Sequence, residues 1–403
     1  MKIEIERQPE SSSSAAYEVA DIFRKYWSYY CERHSVSRHV EKVAHSIMNC
    51  RTSKLGYHKI ECDNSDCDYV EISHNSCRDR HCPKCQGSKQ LEWVNARLEE
   101  LLPVPYYHSV FTMPHSLNNL ALFNEKLIYD IFFKATSYTL NMFAKDPTYL
   151  GGKLGFTGIL HTWGQKQDYH VHIHYIVGGC GIMSDGRTVK RLPYREKFLF
   201  PAEAMSKMVR CQFVKLLKAA YYNGELNLPG ELNRYRAIEE FESFCRTIGN
   251  EAWYCYCKPP FSRAEKVVEY LSRYSNRVAI SNRRIQSLDN NEVKFSYRDY
   301  KDDGKIKSLT LPVFTFLQRF LYHILTFGFT KIRYYGYLSG CDRDKNLAFL
   351  RNYFSRLEQK AQELSAEVKC WQDRFSSFFE RLCPRCRHGH LQFELVCQYN
   401  NSS

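Results

Sequence analysis

No stretch of the 403-residue chain approaches the ~20 uninterrupted apolar residues that a membrane-spanning helix needs, so no membrane partner is expected. The opening MKIEIERQPESSSS is polar and holds no signal-peptide apolar core. The expectation is a soluble protein that stays in the compartment where it is made. Internal repeats are lacking, and so is low-complexity sequence beyond the N-terminal serines, which excludes solenoids and arrays. Acidic residues are in deficit, with 44 Asp and Glu against 57 Lys and Arg, for a formal charge of +13. Each four-cysteine zinc site would lower that figure by about two without cancelling it. A basic chain that is 15% aromatic suits a nucleic-acid partner, a single strand above all.

Cysteine, by contrast, is abundant, and its count of 17 is odd. Disulfide frameworks belong to short secreted chains, so reduced, metal-bound thiols are the better reading here. Cys62, Cys67, Cys77, Cys82 and Cys85 crowd into one stretch, and Cys383 and Cys386 into another. Cys82-x-x-Cys85, with Pro83 inside, is a zinc-knuckle turn, and Cys62 and Cys67 make a plausible four-cysteine site with it. Cys50, His58, Cys77 and His81 remain for a second, interleaved site. Near the C-terminus, CPRCRHGH offers Cys383 and Cys386, with His388, His390 or Cys397 completing a third. One to three structural Zn²⁺ ions are therefore expected. Without metal this polar, loop-rich stretch would have no core. Arg51, Lys54, Arg78, Arg80, Lys84 and Lys89 fit the module for DNA recognition. Cys255 and Cys257 share a strand face beside Trp253 and read as packing residues.

Periodicity divides the chain into a flexible tail (1–16), a helical and zinc-binding DNA-recognition module (17–100), a mixed strand-and-helix domain (101–310) and a helical C-terminal region (311–403) ending in the CPRC turn. Within the third part, DYHVHIHYIVGG (168–179) holds a candidate site. Alternate side chains of a strand share a face, so His170, His172 and His174 point one way while Val171, Ile173 and Tyr175 point into the core. Three imidazoles about 7 Å apart on a twisted strand can hold a divalent metal. Zinc there could activate water for hydrolysis, whereas magnesium or manganese, which prefer oxygen ligands, could polarise a phosphate. The nucleophile decides between them.

A candidate nucleophile lies in PPFSRAEKVVEYLSRYSNR. Pro259-Pro260 blocks an earlier helix start, and Ser262 with Glu265 makes a capping box. Tyr270 and Tyr274 then fall four apart on one helix face. Arg273, Arg277, Arg283 and Arg284, with Lys258 upstream, could hold a phosphate backbone. A phenol near pKa 10 is a weak nucleophile in water. Beside a divalent metal it can attack phosphorus and leave a phosphotyrosine, and two tyrosines allow two successive strand transfers. Aromatic pairs at helical spacing also pack cores, so the pair alone does not decide.

Taken together, His172-Ile173-His174 resembles the histidine–hydrophobe–histidine motif of HUH single-strand endonucleases, and Tyr270-x-x-x-Tyr274 resembles the helix of their two-tyrosine subgroup. CRDRHCPKCQ, LPVPYYHSVFTMPHSL, ILHTWGQKQDYHVHIHYIVGG and YLSRYSNRVAISNRRI are similar to segments of rolling-circle transposases of the insertion sequence 91 family, over about residues 20–340. The resemblance implies an α+β fold: an HUH-type antiparallel sheet with flanking helices in 101–310, a small zinc-stabilised N-terminal module and a helical C-terminal region. It implies a Mg²⁺- or Mn²⁺-dependent transesterase that nicks single-stranded or hairpin DNA at element ends and joins Tyr270 or Tyr274 to a 5′ phosphate. A bacterial, nucleoid-associated, cytoplasmic location would follow. Which tyrosine acts first is left open. So is the third metal ligand, for which His170 and a polar residue after the tyrosine helix both qualify. Ser275-Asn276-Arg277 stands where relatives have Thr-His-Arg, which favours His170.

Three rival readings make different demands. A replication initiator or relaxase would share the chemistry at another origin. A zinc-finger regulator without catalysis would not need the tyrosines. A three-histidine zinc hydrolase would need a metal-bound water and give the tyrosines no role.

Overall fold

Five strands in the order β11-β4-β5-β3-β7, with β6 paired to β5, form the central sheet of the computed structural model, and every pairing in it is antiparallel. The structure describes residues 16–85, 93, 96–192, 199–258, 261, 278–357 and 385–386, and the backbone of 391–395. The N-terminal part holds α1 (Val19–Arg33), α2 (Arg38–Asn49), β1 (Tyr57–Cys62) and β2 (Val70–His74). The middle runs β3 (Tyr106–Thr112), α3 (Asn118–Phe123), α4 (Glu125–Lys145), β4 (Lys153–Trp163), β5 (Tyr169–Ile182), β6 (Val189–Arg191), α5 (Ala202–Tyr222), α6 (Ile238–Asn250) and β7 (Tyr254–Cys257). Then follow β8 (Ile285–Asp289), β9 (Glu292–Asp299), β10 (Lys305–Pro312), α7 (Val313–Leu321), β11 (Ile332–Gly336), α8 (Arg343–Leu357) and β12 (Leu391–Leu395). The architecture is α+β, with antiparallel sheets flanked by helices. No described helix is long and apolar enough to cross a membrane.

The alternation of β5 decides how the sheet is covered. Val171, Ile173, Tyr175 and Val177 are fully buried in a core supplied by α4, α5 and α6 on one face. Each such side chain is worth about 1.5–3 kcal/mol on burial, enough to fix the register of the strand. On the opposite face, Ile159, Ile176, Cys180 and Ile182 lie under Leu347, Leu350 and Phe354 of α8. That cover ends where the histidines begin. The strand runs on past Gly178-Gly179 to Ile182. These glycines admit neighbours: a Cβ on Gly178 would lie 2.6 Å from the Tyr337 hydroxyl, and one on Gly155 of β4 only 2.1 Å from its ring.

The helical start of the 17–100 module is two helices, separated where Ser37 caps α2 by accepting from the Val40 amide at 3.3 Å. Phe23 and Trp27 of α1 and Val43 and Ile47 of α2 share a core with Val293 and Phe295 of β9 and Phe316 and Phe320 of α7. The region read as helical beyond residue 310 also supplies two strands, β11 at the edge of the central sheet and β12 beside β1.

Candidate functional site

Three imidazoles converge on the uncovered end of the sheet face. Ligand nitrogens of His161, His172 and His174 all lie within 4.8 Å of one another. His161 comes from β4, directly opposite His172 of β5, and His174 follows two residues on. The rings are steeply inclined, at 87° for His161 and His172 and 76° for His172 and His174, so they aim at a common point rather than stack. His161 and His174 are buried and His172 is half-buried. The His172 Nδ1–H donates to the His170 carbonyl at 2.8 Å, which leaves Nε2 as the ligand atom. His108 Nε2 lies 2.9 Å from His174 Nδ1. Burial, reinforced by Lys258 and His172, pushes His108 down to about 3, so this supporting imidazole is neutral at physiological pH. The donor set fits a divalent first-row ion with positions left open for other ligands, and nitrogen donors favour Mn²⁺ over Mg²⁺.

His170 lies outside this cluster. Between the pairs His161–His172 and Trp163–Tyr169 the register shifts, so two residues of β5, His170 and Val171, face the single Thr162 of β4. The His170 ring leans on His115, 5.4 Å away. His161, which the sequence did not single out, takes the third place in the cluster. Its signal was the hairpin: strands joined through GQKQD bring the histidine of HTW opposite the HVH run.

Register extends this face beyond the histidines. His172 pairs with Thr112 and Thr112 with Tyr254, while His174 pairs with Val110 and Val110 with Tyr256. Tyr254 and Tyr256 are 62% and 41% exposed and nearly parallel, with ring centroids 6.4 Å apart, an aromatic surface continuous with the imidazoles. Lys258 follows on the same alternation, close enough to bear on His108. Cys257 turns the other way, into the core beside Trp253, and Cys255 packs against that core.

Tyr270, Arg273, Tyr274 and Arg277 lie outside the described residues. The residues on either side of that segment are described. The Phe261 amide donates to the Tyr106 carbonyl at the start of β3. Val278 lines a small, partly open pocket with Trp163 and His323. Trp163 stacks on His161 at 4.7 Å.

The cysteines sort differently from the pairing expected. Cys50, Cys77, Cys82 and Cys85 form one group within 4.8 Å, and Cys62, Cys67 and Cys386 another. The reason is β1. Cys50 and Cys77 flank the base of the β1–β2 ribbon, held by hydrogen bonds of 3.0 Å from Arg51 to Asn75 and from Asn75 to Gly56. Cys62 and Cys67 sit at its tip, roughly 17 Å away at ~3.3 Å per residue, too far to share a metal with Cys82 and Cys85. In the first group Cys85 Sγ lies 3.4 Å from Cys50 and 3.5 Å from Cys77. Thiolates on a tetrahedral zinc with ~2.3 Å bonds are about 3.8 Å apart, so the group fits zinc. Hydrogen bonds from Cys77 and Cys82 draw the Cys50 thiol down to about 7. Cys383 lies outside the described residues.

His58 belongs to neither group. His81, expected as a ligand, donates from Nδ1 to Asp79 at 2.9 Å and accepts the Leu325 amide at Nε2. Several basic residues read as DNA contacts also face inward. Arg80 donates to the carbonyls of Phe329 (2.6 Å) and Thr326 (3.1 Å). Lys84 pairs with Glu18 at 2.5 Å. Arg284 donates to the Ser296 carbonyl at 2.7 Å and covers the Phe295 ring. Arg78 and Arg283 are exposed and Lys258 is half-buried.

Known proteins resemble this chain over most of its length. Residues 22–113 match the family described as "Transposase zinc-binding domain" and residues 155–346 the family described as "Putative transposase". A putative transposase of Sinorhizobium fredii is 36% identical over 378 residues, 93% of this chain and 94% of its own length. The transposase for insertion sequence element IS801 of Pseudomonas savastanoi pv. phaseolicola is 28% identical over 305 residues, 74% of this chain and 70% of its own. No solved structure matches. The N-terminal domain is thus a zinc-binding one, with its cysteine cluster as the structural site. With both of its domains and nearly its whole length matched in this way, the chain belongs to the insertion sequence 91 family of transposases.

Proposed function

We propose that the chain is an HUH-type single-strand DNA endonuclease and strand transferase that moves an element by rolling-circle or peel-and-paste transposition. The observation that carries this reading is the convergence of His161, His172 and His174 on an open sheet face. A divalent ion bound there, Mg²⁺ or Mn²⁺, would polarise the scissile phosphate. The chain's own residues do the rest. His172 is held in one tautomer by the His170 carbonyl, and neutral His108 supports His174 without adding charge. Tyr254 and Tyr256 offer stacking surface for unpaired bases, and Lys258, Arg283 and Arg78 offer charge for their phosphates.

Tyr270 or Tyr274 acts as the nucleophile. Val278, four residues after Tyr274 in the sequence, lines a pocket with Trp163, whose ring stacks on His161, and this supports the assignment. The phenolate oxygen attacks phosphorus, the P–O3′ bond breaks, and the leaving 3′ oxygen takes up a proton. A 5′-phosphotyrosine and a free 3′ hydroxyl result. The covalent bond conserves the energy of the phosphodiester, and the second tyrosine carries the next transfer. Element ends and target DNA are the partners, in the cytoplasm beside the nucleoid.

The test is incubation with labelled single-stranded oligonucleotides carrying an element end, with Mg²⁺ or Mn²⁺, followed by a denaturing gel. A covalent adduct is expected, greater with Mn²⁺. Its loss in Tyr270→Phe or Tyr274→Phe identifies the first nucleophile. Absence of adduct with the correct end and every divalent metal tried would overturn the reading.

A further inference from the structure

We propose that the two ends of the chain share a second structural zinc site, in which Cys62 and Cys67 from the tip of the β1–β2 ribbon meet Cys386. Cys62 and Cys386 are 324 residues apart in sequence, yet their sulfurs lie 3.6 Å apart. Cys67 joins them within 4.8 Å. The matched zinc-binding domain ends at residue 113, so Cys386 enters from outside it.

Three independent features bring these residues together. β12 adds to the free edge of β1 in a five-pair antiparallel register, from His58 opposite Leu395 to Cys62 opposite Leu391. Arg385 forms an ion pair with Asp68, next to Cys67. The 62–67 turn is closed by the Cys67 amide donating to the Asn64 carbonyl at 2.9 Å, and the sulfurs of Cys62 and Cys67 converge with that of Cys386.

Burial indicates that metal is needed. Ile60 is the only fully buried apolar residue described in the β1–β2–β12 sheet, and its cluster consists of Cys62, Cys67, Tyr69 and Cys386. Val70 and Ile72 of β2 are 48% and 57% exposed. Three strands around one isoleucine have far too little apolar surface to offset their conformational entropy. Zinc coordination supplies the missing free energy, as it does in small metal-folded modules. A disulfide would join two of these thiols and leave the third, whereas all three converge. Binding releases the thiol protons and fastens the C-terminal segment to the N-terminal module.

Metal content of the full-length protein, purified without chelator, tests this. Two zinc ions per chain are expected, falling to one in Cys386→Ser and restored to two in Cys386→His, which keeps a ligand. One zinc in the unaltered protein, or no change in Cys386→Ser, overturns the proposal. Should the serine variant fail to fold, alkylation of the unaltered protein decides. Cys62, Cys67 and Cys386 should be protected together and become reactive together on chelation. Free reaction of Cys386 while Cys62 stays protected, or a Cys62–Cys386 disulfide, overturns it too. None of these readouts depends on DNA cleavage.

Discussion

The imidazoles of the central sheet and the thiols of the N-terminal module are held by opposite kinds of backbone. His161, His172 and His174 stand on two long strands, each hydrogen-bonded to neighbours on both sides. Their positions would persist without any ion, because the register is fixed by the apolar face behind them. Cys50 ends a helix, and Cys77, Cys82 and Cys85 lie in irregular segments rather than on paired strands. Four thiols close a coordination shell, whereas three imidazoles leave it open. Where the ligands need the metal, the metal builds the fold; where they do not, it is available for chemistry.

The largest effect should come from breaking the closed site. Cys82→Ser or zinc chelation should cost on the order of 10 kcal/mol of local folding free energy, seen as loss of the module's protease resistance and of DNA binding. Breaking the open site should do the reverse. His161→Ala and His172→Ala should lower adduct formation by about 10²–10³-fold at unchanged melting temperature. His170→Ala should stay within about tenfold. Equal losses for His161→Ala and His170→Ala would move the third ligand back to where the sequence alone suggested it.

Behind the open site, His323 bridges Thr162 and the Gln167 carbonyl, and burial pushes it from an ordinary value of 6.5 down to about 4, with Asp168 opposing and Arg319 assisting. Its folded pKa is depressed, so its contribution is complete above pH 6.5 and is lost as pH falls toward 4. Up to roughly 3 kcal/mol rides on this group, and denaturant titrations of His323→Gln between those limits should show a flatter acid slope. On the exposed part of the same face, Tyr254→Ala and Tyr256→Ala should each weaken single-strand affinity by about 1–3 kcal/mol, measured by fluorescence anisotropy, and leave duplex affinity nearly unchanged. The smallest change belongs to the charges. Arg283→Ala should reduce the salt dependence of single-strand binding by a slope of about 0.7, while Lys84→Ala, already paired with Glu18, should not.

Periodicity within one strand was enough to find His172 and His174, because alternation is a local property. His161 needed the register between two strands, which a hairpin turn only hints at. The cysteines were harder. Their number and crowding announced zinc, but the partition into groups depends on β1 carrying Cys62 away from Cys50, and Cys386 returns from the far end of the chain. Arg80, Lys84 and Arg284 carry charge that composition assigns to DNA, yet their donors meet carbonyls and a carboxylate inside the protein. A sequence reports that a residue is basic; only packing reports which way it faces. Core alternation in β5 and the strand face shared by Cys255 and Cys257 were legible because each follows from local pattern alone.

The turn that carries Cys82 and Cys85 also carries Arg80 and His81, and both of those clasp residues 325–329 beside the central sheet. Metal binding and docking are therefore functions of the same few residues. On the proposed reading, this makes the protein a ruler. The stretch of DNA gripped by the zinc domain and the phosphate presented to the imidazoles are set a fixed number of nucleotides apart. Lengthening the spacer between recognition sequence and nick by one nucleotide should then shift the cut rather than relax it.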